Sequence, residues 1–188
     1  MLARLEQYTV GHLEALESFK VQYDVIERIC TEIARTLERG NTLYICGNGG
    51  SAADAQHMAA EFTIRYKMER RALPVIALTT DTSAITACGN DYSFDVIFSR
   101  QLEAFAKPGD ALLGFSTSGN SVNVIKAIES AKKIGVATIA FLGKDGGKIK
   151  ELVDHALVIA SNDTPRIQEM HSLAMHAVCE IVEQEVCK

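Results

Sequence analysis

From residue 42 onward the chain alternates short apolar runs with stretches of helical periodicity, and this alternation limits the fold more than any other feature. The runs are TLYIC (42–46), VIAL (75–78), ALLGF (111–115), ATIAF (137–141) and ALVI (156–159). Each is too short for a helix and apolar at nearly every position, as a strand buried on both faces must be. Helical patterns separate them at 52–66, about 94–105, 122–134 and, briefly, 148–153. Such alternation predicts an α/β fold made of βαβ units, with a parallel sheet and helices on both of its faces.

Two helices are expected ahead of this core. Ile26, Ile29, Ile33 and Leu37 recur at spacings of three and four, and Gly40 is placed to end that helix. The other runs from about Leu2 to Phe19, interrupted by Gly11. Neither has a partner layer of its own, so both are expected to pack on the core or on a neighbouring subunit. A long last helix runs from Pro165 to about Val186, with Thr164 as its N-cap and Pro165 at the first helical position. At 188 residues, with no repeat or Pro-rich linker, the chain reads as one domain: N-terminal helices over 1–40, then an α/β core over 41–188.

The net charge of −5 argues against a nucleic-acid or anionic-membrane surface. The cluster Lys67, Arg70 and Arg71 reads as a solvated turn. No apolar run approaches the roughly 18 residues of a membrane span. The opening stretch interleaves acidic residues with apolar ones and is expected not to be a secretory signal. Five cysteines lack zinc-type CxxC spacing and read as reduced thiols of a cytoplasmic protein.

In a parallel sheet, ligands bind beyond the carboxyl ends of the strands, where strand order reverses. Four polar loops occupy such ends: GNGGS (47–51), TTDTS (79–83), STSGNS (116–121) and SNDTP (161–165). The first, with Ala52, fits G-x-G-x-x-G/A formally. The acidic residue that a dinucleotide fingerprint wants at the end of the next strand is poorly placed, because Glu69 precedes that strand and Asp81 lies too far on. A bare strand-to-helix turn is the alternative. STSGNS is more telling. Ser116, Thr117, Ser118 and Ser121 open a helix, and hydroxyls with backbone N–H groups at a helix N-terminus cradle a phosphate without needing a lysine. Ser121 alone could be an ordinary cap; four hydroxyls and a glycine exceed what a cap needs.

The segment CGNGGSAADAQHMAAEF (46–62) then carries His57 and Glu61 on one helical face, four residues apart. They read as a surface pair, as a partly buried structural histidine with its neighbour, or as reactive groups facing the crevice. RIQEMHSLAMHAV adds Gln168, His171 and His176. His171 reads as a surface or packing residue, and His176 as a core histidine or a ligand. Two histidines, a carboxylate and an amide have the nitrogen and oxygen donors that suit a zinc-like ion.

These motifs, with GNDYSFDVIFSRQ, GDALLGFSTSGNSVNVIKA and GKDGGK, resemble the sedoheptulose-7-phosphate isomerase (phosphoheptose isomerase) family of the sugar-isomerase (SIS) superfamily, over essentially the whole chain. The resemblance implies a doubly wound, flavodoxin-like, five-stranded parallel sheet and a homotetramer with active sites between subunits. It implies conversion of D-sedoheptulose 7-phosphate to D-glycero-D-manno-heptose 7-phosphate, the first step towards the heptose of bacterial lipopolysaccharide. It makes His57, Glu61, Gln168 and His176 ligands of one zinc ion per subunit, with Glu61 and His176 also base and acid. Asn48, Gly49, Gly50, Ser51, Asn90, Asp91, Ser116, Thr117, Ser118 and Ser121 become substrate contacts, as do Glu61 and Gln168. The alternatives are a non-catalytic SIS module that binds a sugar phosphate or a protein such as a replication initiator, and an isomerase of another sugar phosphate. Members of the non-catalytic type are expected to lack the Glu and the second His that stand here. One geometric demand follows. Gln168 and His176 are eight residues apart, roughly 12 Å along a regular helix and about 80° around it. Both can hold one ion only if the helix is irregular or the two come from different subunits; the tetramer favours the second.

Overall fold

The computed structural model describes residues 1–188. Five parallel strands form one sheet: β1 (Leu43–Cys46), β2 (Val75–Ala77), β3 (Ala111–Ser116), β4 (Ala137–Gly143) and β5 (His155–Ile159), in the order β2-β1-β3-β4-β5. All five expected strands form, and their order reverses between β1 and β3, so the binding crevice of this topology opens between the loops that follow those two.

Seven α-helices surround the sheet: α1 (Leu2–Lys20), α2 (Tyr23–Glu38), α3 (Gly50–Thr63), α4 (Thr82–Asp91), α5 (Ser99–Phe105), α6 (Val122–Ile134) and α7 (Thr164–Val186). Side chains alternate along each strand, so the sheet feeds two cores. Leu43 and Ile45 of β1 and Leu113 and Phe115 of β3 point to the side packed by α1, α2, α3 and α7. Tyr44, Cys46 and Leu112 point to the other, packed by α5, α6 and part of α4. The N-terminal helices therefore lie on this chain's own sheet, as one of the two expectations held. Helix α1 buries only Ala15 and Phe19, while Leu2, Leu5, Tyr8, Val10 and Leu13 stay exposed.

Several boundaries differ from the sequence reading. Helix α4 forms where no helix was expected, taking in the end of the loop 79–83; Asp81 caps it by accepting from the Ala84 N–H at 2.9 Å. That bond also occupies the carboxylate weighed above against the dinucleotide fingerprint. The stretch 94–105 is a 3-10 turn (Phe94–Val96) followed by α5, because Ser93 caps the turn separately. Asp163, not Thr164, is the N-cap of α7. Gly40 does follow α2, with φ +73°.

Candidate active site

The loops after β1 and β3 meet at the reversal point. Asn48 in the first and Asn123 at the start of α6 exchange two amide hydrogen bonds, of 2.9 and 2.8 Å, which tie the loops together. Gly47 must be glycine, since a Cβ there would sit 2.7 Å from the Ser51 carbonyl and 3.0 Å from Phe115. Neither α3 nor α6 has a side-chain cap at its N-cap residue, Gly49 and Ser121 respectively. The Ser121 hydroxyl is instead paired with that of Ser116 at 2.9 Å. The N-terminus of α6 thus presents backbone N–H groups beside hydroxyls, an arrangement suited to an anion, whereas the Ser51, Ala52 and Ala53 N–H groups of α3 turn back to the Asn48 and Gly49 carbonyls.

About two and three turns along α3 stand His57 and Glu61, with His57 Nε2 3.0 Å from Glu61 Oε1. Helix α7 brings His176 to them: its ring lies 5.0 Å from that of His57, and Tyr66 stacks on its other side at 5.9 Å. One ligand atom from each of His57, Glu61 and His176 falls within 4.8 Å of the others. Two imidazole nitrogens and a carboxylate oxygen are a donor set for zinc or a similar divalent ion, and three protein ligands leave positions open for substrate. The residues fit such an ion.

Helices α3 and α7 run in step. Gln168 packs on Gly50, since a Cβ at Gly50 would meet Gln168 Nε2 at 2.5 Å. One turn on, the Ser172 hydroxyl donates to Asp54 Oδ1 at 3.2 Å; one turn further, His176 meets His57. Gln168 therefore sits by the glycine loop, two turns before the histidine pair, and α7 is unbroken between Gln168 and His176. Burial raises the Asp54 carboxyl above its ordinary pKa, against the opposing pull of Ser172 and His57. Beneath the triad, buried Glu183 accepts from the N–H groups of Tyr66, Lys67 and Met68 and from Arg70 Nε. Burial alone would raise its pKa, but those hydrogen bonds hold it below the ordinary value. Arg70 is thus no solvated turn residue: its side chain is 3% exposed, and it also donates to the Glu61 carbonyl.

Asn90 and Asp91 lie exposed at the end of α4, with the Asn90 amide donating to Asp91. Within this chain the crevice gathers Asn48, Gly49, Gly50, Ser51, Ser116, Thr117, Ser118 and Ser121. The sequence reading missed Asn123, Asp54, Ser172 and Tyr66. Asn123 follows the hydroxyl loop directly and was within reach of a motif argument; Asp54 and Ser172 are 118 residues apart and signal nothing singly.

The SIS domain family matches residues 7–143 of this chain, a span that includes the reversal of strand order and both of the loops beside it. The phosphoheptose isomerase of Aliarcobacter butzleri is 54% identical over 178 residues, 94% of each chain. Solved phosphoheptose isomerase structures from Neisseria gonorrhoeae and Francisella tularensis superpose with TM-scores of 0.92 and 0.94, at 42% and 35% identity, each covering 97% of this chain and 98% of its own. The chain belongs to the phosphoheptose isomerase family of SIS-domain proteins.

Proposed function

We propose that this chain interconverts D-sedoheptulose 7-phosphate and D-glycero-D-manno-heptose 7-phosphate, as a zinc-dependent homotetramer in the cytoplasm. The supporting observation is the convergence of His57, Glu61 and His176 on α3 and α7, whose N-terminal turns border a phosphate-suited crevice. The phosphate end of the sugar is assigned to Ser116, Thr117, Ser118, Ser121 and the free N–H groups of α6. Asn48, Gly49, Gly50 and Ser51 border the carbon chain, with Asn90 and Asp91 closing over it. The glycine loop lets the sugar lie close to backbone, and the helix it launches carries the reactive groups to the carbonyl end.

Aldose–ketose interconversion moves a proton between C1 and C2 through an enediol. His57, Glu61 and His176, joined by Gln168 of a neighbouring subunit, would hold a divalent ion, which would supply positive charge to the substrate oxygens as the enediol forms. Glu61 takes the C1 proton and returns it at C2. One of its oxygens faces His57 and the other is left for the proton. His176, stacked on Tyr66, moves the proton between O1 and O2. His57 stands beside Glu61, with Nε2 3.0 Å from Glu61 Oε1, so the two side chains converge on one point. Four buried cysteines and one half-buried, all unpaired, accord with a reducing compartment, and no helix is long and apolar enough to cross a membrane. The product is a precursor for the heptose of bacterial surface glycans.

The test is turnover of sedoheptulose 7-phosphate by purified protein before chelation, after chelation and after zinc is returned. Activity is expected to vanish and recover. Glu61→Gln is expected to lower kcat on the order of 10²–10⁴-fold; near-normal turnover in that variant excludes Glu61 as base.

A further inference from the structure

Asp54 is the remaining acidic group on the face of α3 that carries His57 and Glu61. It stands three residues before His57, close to one helical turn. Its Oδ1 accepts from the Ser172 hydroxyl at 3.2 Å, and Ser172 stands four residues before His176 on α7. This bond joins the two histidine-bearing helices one turn ahead of the point where they must converge. The other oxygen, Oδ2, is fully buried and has no hydrogen-bond partner. A buried carboxylate oxygen without a partner costs about 1–3 kcal/mol, more when charged. Such an atom persists where something else uses it.

Metal-bound histidines need an acceptor for the ring N–H that faces away from the ion, and a carboxylate is a common one. His57 turns Nε2 to Glu61, which leaves Nδ1 to find a partner. We propose that Asp54 is a positioning residue of the triad: Ser172 holds one of its oxygens, fixing α3 against α7, and the other accepts the Nδ1–H of His57 when Nε2 is given to a cation. Asp54 does not touch substrate. It sets the ring orientation of His57 and the distance across which His57, Glu61 and His176 close.

The inference rests on reading the triad as a cation site, so wild-type zinc affinity is measured first, by competition with a chelating indicator. Failure to bind removes that reading and this inference with it. Given binding, Asp54→Asn keeps the shape and the acceptor for Ser172 but loses the carboxylate. Its zinc affinity is expected to fall about 10–100-fold, with circular dichroism and hydrodynamic size unchanged. Its kcat is expected to fall while KM holds, since the phosphate loops are untouched. Ser172→Ala is expected to weaken zinc by a smaller factor. The double variant is expected to lose less affinity than the two single losses multiplied, because the residues act as one unit. Wild-type zinc affinity in Asp54→Asn overturns the proposal. So does a lower melting temperature in both single variants with affinity and kcat unchanged, which is the mark of a purely structural tie. Asp54→Asn is close enough in size to keep the test open if Asp54→Ala fails to fold.

Discussion

His171 and His176 lie five residues apart on one helix and meet opposite surroundings. His176 reaches the crevice. His171 is fully buried between Phe115 and Phe141, with Nε2 3.1 Å from the Leu142 carbonyl and Nδ1 without a partner. Burial pushes its pKa down to about 4, the Leu142 contact opposing only weakly. An unfolded histidine titrates near 6.5. Between those values the unfolded chain binds the proton and the folded one does not. The stability His171 contributes is therefore full above about pH 6.5 and is lost as pH falls through that window, by up to roughly 3 kcal/mol. His171→Gln, which keeps a donor for Leu142, is expected to flatten the fall in melting temperature between pH 7 and pH 4.5. Parallel curves for the two proteins place the proton uptake elsewhere.

The crevice loops hold their shape because a third loop braces them. GKDGGK, after β4, lies against STSGNS: the Ile149 N–H donates to the Gly119 carbonyl at 3.0 Å, and the Lys148 N–H to Asn120 Oδ1 at 3.2 Å. Gly119 has φ +64°, and a Cβ on it would run into the Gly146 carbonyl and lie 2.7 Å from the Gly147 nitrogen. Gly119→Ala meets both a backbone penalty and a backbone clash, worth about 1–3 kcal/mol or more. The loop that yields is the one assigned to the phosphate. A rise in KM for the sugar phosphate is expected, larger than the change in kcat, alongside a lower melting temperature. An unchanged KM in a folded variant separates this loop from phosphate binding.

The assembled protein raises the matter of Gln168. In one chain it lies on Gly50, while His176 meets His57 two turns away, and no kink in α7 brings the two together. A site that uses both draws them from different subunits. The apolar residues left exposed along α1, with Tyr23, Leu173 and Ile181, offer surface for such an assembly. Gln168→Ala and His176→Ala are each expected to be inactive. Mixed by co-refolding, they are expected to regain activity, because some sites then receive an intact copy of each residue. Mixtures as inactive as the parents would mean that one subunit supplies both.

Strands β1, β3 and β4 were legible because a strand buried on both faces writes its burial into every residue, the edge strands β2 and β5 because they stay apolar although Ile76 and much of β5 are only partly covered, and α2 because its apolar stripe repeats every turn. The hydroxyl and glycine loops were legible because their compositions serve little else. Helix α4 was not: of its ten residues only Cys88 is buried, so no stripe marks it, and Asp81 starts it by a capping bond rather than by packing. Nor was the clamp of Arg70 on Glu183, whose partners are 113 residues apart. His171 and His176 read alike as letters. Periodicity and loop chemistry are local, so they survive in the order of residues. Whether a charge is solvated, a histidine can hold its proton, or an oxygen such as Asp54 Oδ2 finds a partner depends on what distant chain is packed against it, and that was settled only when α3, α7 and the sheet came together.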